Sequence, residues 1–144
     1  MPFYPGVSVV RTPANQTAIT SGTVVANGYG AIANGLGTRI IPGTTGRLLV
    51  MWSGDMLAGA TALTSTLQCT YGTGVAPANA GAVGTLVGTM TTWISLTGQL
   101  HENFALHTIV DGLTVGTDYW FDLSVKVSAT SIQPLTVSFT AIEV

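Results

Sequence analysis

Charge is what this sequence has least of. Four basic and six acidic side chains in 144 residues make 7% of the chain, against about a quarter in an ordinary soluble domain. With a net charge of −2 and no cluster of Lys or Arg, nothing provides for phosphates or anionic headgroups, so neither nucleic acid nor a membrane surface is an expected partner. A single cysteine, Cys69, excludes an intrachain disulfide and fits a reducing compartment. Long apolar runs are missing too. Stretches such as residues 48–52 are cut short by Gly or Thr, so no helix could span a bilayer even though mean hydropathy is +0.50. The opening Met1-Pro-Phe-Tyr-Pro-Gly6 has neither the basic nor the apolar region of a secretion signal. Synthesis and assembly inside the cell are therefore expected, and the sequon Asn15-Gln16-Thr17 reads as a chance match.

Helix signals are also lacking, while strand signals are plentiful. The length suits one domain with a continuous core. From residue 17 onward, short segments rich in Val, Ile, Thr and aromatics alternate with Gly, Asn and Pro, the pattern of an antiparallel sandwich or barrel. Candidate strands cover residues 18–26, 37–41, 47–56, 63–71, 85–96, 104–110, 117–128 and 135–144. About eight strands point to an all-β, antiparallel jelly-roll sandwich over residues 17–144. Residues 1–16 hold Pro2, Pro5 and Pro13 and read as an extended N-terminal arm. Tyr119, Phe121, Leu123, Val125 and Val127 alternate with polar residues including Asp118 and Asp122, which predicts one core face and one wet face. The run Leu48-Leu-Val-Met-Trp52 does not alternate, so both of its faces are expected to be covered, and a packed interface is expected there.

The titratable groups do not compose an active site. His101 and His107 are the only imidazoles, too few for a cupin-like metal centre, and Glu102 next to His101 falls on the opposite face of a strand. Cys69 lies on the apolar side of its strand, where a thiol is inert, so a Cys–His nucleophile pair is not expected. Asp111, Asp118 and Asp122 lack the tight oxygen-rich spacing of a calcium loop. Asp111 before Gly112 reads as a turn residue, and Asp118 and Asp122 as solvent-facing strand residues. The glycine-rich loops at 28–37 and 71–84 are not followed by the helix that a phosphate site needs. No catalytic residue, cofactor or metal is assigned. Of Trp52, Trp93 and Trp120, the last falls on the polar face of its strand and is the best candidate for an exposed contact, either an interface anchor or a sugar platform.

Three stretches carry a resemblance. Leu113-Thr-Val-Gly116-Thr-Asp-Tyr119 looks like the Leu-x-x-Gly-x-x-Tyr turn of fibronectin-type sandwiches, and the closing Val137-Ser-Phe-Thr-Ala-Ile-Glu-Val144 is similar to the last strand of trimeric tumour-necrosis-factor jelly rolls. Together with Gly46-Arg-Leu-Leu-Val-Met-Trp-Ser-Gly54 and Tyr71-Gly-Thr-Gly-Val-Ala-Pro-Ala-Asn79, the chain resembles the jelly-roll cement, or decoration, proteins of tailed bacteriophages. That resemblance implies a virion protein assembled in the host cytoplasm. It would sit on the outer capsid surface as a homodimer or homotrimer, bound to the major capsid protein. The residues expected to meet partners are Phe3, Tyr4, Val7 and Val9 of the arm, with Trp52 and Trp120. The alternative is a phage tail or receptor- and carbohydrate-binding module resting on the tryptophans.

Overall fold

A computed structural model describes residues 7–11, 22–26, 28, 38–59, 62–96, 101–129 and 131–144. Among them are nine strands: β1 (Val7–Arg11), β2 (Val25–Ala26), β3 (Arg39–Ile40), β4 (Leu48–Ala58), β5 (Thr64–Thr73), β6 (Thr85–Ile94), β7 (His101–Val110), β8 (Tyr119–Val127) and β9 (Ile132–Glu143). They form two antiparallel sheets, one ordered β1-β9-β4-β7 and the other β2-β8-β5-β6, with β3 also on β8. Because β2 and β3 lie against opposite ends of β8, they act as two pieces of one interrupted strand. Successive strands then switch sheets at every step except the β5–β6 hairpin, which is the wrapping of a jelly roll.

The alternation that marks strands in the sequence also builds the core. Leu48, Val50, Trp52 and Met56 of β4, with Val137 and Phe139 of β9 beside them in the same sheet, pack in one core with Leu67 and Cys69 of β5 and Phe121, Leu123 and Val125 of β8. An aromatic column crosses between the sheets: Trp52 meets Phe139 at 4.5 Å between ring centroids, Phe139 meets Phe121 at 5.9 Å, and Phe121 stacks on Tyr71 at 5.9 Å. Such tilted and offset pairs add to the burial that joins the layers. The Leu-x-x-Gly-x-x-Tyr stretch closes as a tyrosine corner, with Leu113 buried, Gly116 at φ +80° and the Tyr119 hydroxyl accepting from the Thr114 N–H at 3.0 Å.

Three details depart from the reading of the sequence. Within the span read as an arm, Val7–Arg11 pairs with β9, Val7 opposite Ala141 and Arg11 opposite Val137, so this stretch is an edge strand of its own sheet. The β8 strand is buried on both faces rather than one, Trp120, Asp122 and Ser124 being covered as fully as Phe121 and Leu123. The β4 strand, by contrast, alternates: Leu48, Val50 and Trp52 are buried while Leu49 and Met51 are half-buried.

Candidate interaction surfaces

The three aspartates Asp111, Asp118 and Asp122 are engaged separately. Asp118 pairs with Arg39 at 2.7 Å and Asp111 with Arg47 at 2.9 Å, so the two hold different turns. Asp122 is fully buried; its carboxylate accepts from the Gly28 N–H at 2.7 Å and from the Leu123 N–H at 2.7 Å. The solvent-facing reading of Asp122 is thus corrected, because the chain from β2 folds over it. His101 Nδ1 lies 3.0 Å from Asp55 Oδ2 on the surface, while His107 stands opposite Met51, further along β7. The Cys69 thiol is pushed up to about 12, chiefly by burial, so it stays protonated and unreactive at neutral pH. No group of three or more His, Cys, Asp or Glu is placed to hold a metal among the described residues.

Glu143 has a different task. Its carboxylate accepts from four successive main-chain N–H groups of the β3–β4 turn, Gly43 at 2.9 Å, Thr44 at 2.8 Å, Thr45 at 2.6 Å and Gly46 at 3.2 Å. Desolvation pushes its pKa upward, but the main-chain donors outweigh that and hold it at about 2. The end of β9 is thereby fastened to the turn that starts β4, and the Val144 N–H bond to the Arg47 carbonyl, 3.0 Å, closes the same corner.

The tryptophans read as contacts are core residues instead. Trp52 is 1% exposed and Trp120 5%. Trp120 does point away from the inter-sheet core, but its indole is roofed by the β5–β6 connection. A Cβ placed on Gly72 or Gly84 would come within 2.5 Å of the ring, and the indole N–H donates to the Thr73 carbonyl at 3.2 Å. Glycine is required at both positions for this close approach. The same connection is tied down by the Ala26 N–H to the Gly81 carbonyl and the Ala80 N–H to the Ala26 carbonyl, 3.0 and 2.8 Å. The sequence carries a signal for this roof in the Gly72 and Gly84 pair, but only once the register Gly72 opposite Trp120 is known. Phe3 and Tyr4 lie outside the described residues. Val7 and Val9 sit at register positions opposite Ala141 and Phe139 of their own chain.

Among the described residues, two apolar surfaces stand open. The first is the outer face of β1-β9-β4-β7. Register sets Ile109 of β7, Leu49 of β4 and Ile142 of β9 in one row across three strands. The next rows run His107, Met51 and Thr140, then Ala105, Ser53 and Ser138. These small residues leave a shallow depression of about 340 Å³. Ile109 and Ile142 are 44% and 39% exposed, and no described part of the chain covers the row.

The second is the β5–β6 hairpin. From Met56 to His101 the sequence has no Asp, Glu, Lys or Arg, and this stretch supplies β5, β6 and the connections on either side. Residues Leu86, Met90 and Ile94 of β6 and Leu96 beyond it are all more than two-fifths exposed. The ladder between β5 and β6 shifts register between Leu67 and Cys69, where Gly88 has φ +76° and approaches Thr108 of β7. Gln68 Nε2 donates to the bulged Gly88 carbonyl at 2.7 Å.

No family model and no curated protein matches this chain. Among solved structures, a chain of the structure of infectious bursal disease virus, Gx strain, is similar at a TM-score of 0.57 and 10% sequence identity, over 98% of this chain. What the two share is the fold. The present chain spans 33% of that longer chain, so the jelly roll found here corresponds to one part of it.

Proposed function

We propose that the chain is a structural protein of a virus capsid, acting in the manner of a bacteriophage cement or decoration protein. The observation that carries this reading is the outer face of β4. Every residue from Leu48 to Trp52 is apolar, the composition of a strand covered on both faces, yet the described chain covers only the inner one. Leu49 and Met51, flanked by Ile109 and Ile142, are left as an uncharged sheet surface suited to a protein partner. The partner proposed is the major capsid protein, met on the outside of the head by a homo-oligomer whose repeated modest contacts brace neighbouring capsomers through effective concentration. A jelly roll that resembles part of a virus-particle chain in fold supports this reading. The glycan-binding alternative loses support, because Trp52 and Trp120, two of its three aromatics, lie in the core.

The test is co-sedimentation of purified protein with heads that lack it, scored for saturable stoichiometry and for survival of the heads on heating. Saturable binding with added heat resistance is expected, and Leu49→Asp should abolish it while leaving the fold intact. Absence of binding by the wild-type chain would remove the cement reading.

A further inference from the structure

The open face of the β1-β9-β4-β7 sheet has a relief that complements itself. Pairing of β4 with β7 keeps one register from Leu48 to Leu57, and pairing with β9 keeps one from Leu48 to Asp55. Alternate residues of β4 from Leu49 to Asp55 therefore share the outer face with their neighbours on β7 from Ile109 to Asn103. The row of Ile109, Leu49 and Ile142 is a ridge of branched apolar side chains. The row of Ala105, Ser53 and Ser138 lines the depression of about 340 Å³. Ridge and depression lie equally far, two residues each, on opposite sides of the row through Met51.

We infer that in the free protein this face packs on the same face of a second copy, about a two-fold axis that lies between the sheets and crosses the strands at the Met51 row. Rotation about that axis reverses the strands but keeps their order, so β4 lies on β4 and β7 on β7. Leu49 then enters at Ser53 of the copy and Ile109 at Ala105, and each ridge fills the other copy's depression. Aligned sheets cross at about 30°, which displaces facing rows two residues from the axis by about 3.5 Å, less than one strand spacing of about 4.8 Å. Charge favours the same orientation. Arg47, exposed beside Asp111, is set toward Asp55 of the copy at each end of the face; such exposed pairs add little energy, but their signs match. A two-fold axis along β4 would instead stack ridge on ridge and Asp55 on Asp55. Three strands by five rows measure about 14 Å by 34 Å, so two copies cover roughly 1,000 Å², the lower end for a specific interface. A reversible, isologous dimer follows. The inference goes beyond the capsid reading and stands without it: the copy occupies the face proposed above for the head, and docking there opens the dimer.

Sedimentation equilibrium of the full chain, without heads, measures the dimer, and an exchange of side-chain size on β7 tests its axis. Ala105→Ile fills the space that receives Ile109 of the copy, and Ile109→Ala removes that part of the ridge; both positions are exposed, so neither change disturbs the core. Each alone should weaken dimerisation at least about tenfold. In the double variant the long side chain at 105 meets the short one at 109 of the copy, and dimerisation should return to within about threefold of the wild type. Met51→Lys sets two like charges against each other on the axis and should weaken it at least about a hundredfold. Val75→Lys, at a 95% exposed position in the β5–β6 connection, should dimerise as the wild type does. A wild type still monomeric at about 1 mM, single variants that dimerise like the wild type, or a double variant no better than the singles would each overturn the inference. A monomeric wild type would leave capsid binding standing, and heads that bind nothing would leave the dimer standing.

Discussion

Trp120 separates two accounts of this molecule most sharply, because one makes it a contact for a partner and the other a pillar of the fold. In the structure the indole is 5% exposed, lies over Gly72 and Gly84, and donates to the Thr73 carbonyl. Truncating a tryptophan so buried costs about 3–5 kcal/mol, since the glycines that make room for the ring have no side chains with which to refill the space. Trp120→Phe keeps most of the ring but leaves the Thr73 carbonyl without its donor, a loss of about 1 kcal/mol. For a chain of this size each kilocalorie lowers the melting temperature by roughly 3 °C, so Trp120→Ala should melt about 10 °C or more below the wild type and Trp120→Phe only a few degrees below. Urea titrations followed by far-ultraviolet circular dichroism give the free energies without relying on the fluorophore that is removed. A Trp120→Ala chain within about 1 kcal/mol of the wild type would refute the pillar account.

The Glu143 clamp predicts a pH window. Its carboxyl titrates near 2 in the folded chain against 4.5 when free, so the clamp is fully formed above about pH 4.5 and its contribution falls away as pH drops from there toward 2. Melting temperatures measured across that range should decline in the wild type and decline less in Glu143→Gln, and equal slopes would count against the clamp. Gly88 and Gly116 both have positive φ, but only Gly88 has a neighbour in the way, since a Cβ there would stand 2.7 Å from the Thr108 side chain. Gly116→Ala should therefore cost about 1 kcal/mol for its backbone alone, and Gly88→Ala more, in paired denaturant titrations.

The strands are legible in the sequence because their signal is local. Eight of the nine coincide with Val-, Ile- and Thr-rich segments bounded by Gly, Asn or Pro, and the alternation Tyr119, Phe121, Leu123, Val125, Val127 names the inward face of β8 correctly. The outward faces are not legible in the same way. Polar residues alternating with apolar ones show which side faces the inter-sheet core, but not whether a loop lies over the other side. Asp122 and Trp120 read as solvent-facing on that ground, and the chain near Gly28 and the β5–β6 connection bury both. Proline misleads at the start, since Pro5 and Pro13 flank a strand rather than prevent one: Val7–Arg11 falls between them. The apolar run of β4 does not show in the sequence which of its residues stay partly open, and that Leu49 and Met51 are half-buried on the outer face emerges only from the burial of each residue.

Most of the few charges of this chain hold its turns, and that decides how its surfaces should respond to salt. Arg39 with Asp118, Arg47 with Asp111, Glu143 with the β3–β4 turn and buried Asp122 with Gly28 each fasten a connection. The open face around Leu49 and Met51 and the edge of β6 have no part in them. At about 1 M salt the screening length shrinks to about 3 Å, which removes attraction between exposed charges but leaves apolar contacts and main-chain pairing in place. Binding through the face around Leu49 and Met51 should therefore change by less than about threefold between roughly 0.05 M and 1 M sodium chloride, whereas association steered by surface ion pairs would fall more than about tenfold. Sedimentation across that range reads the difference directly. A steep loss with salt would mean that the scarce charges, and not the open face of β4, carry the contact.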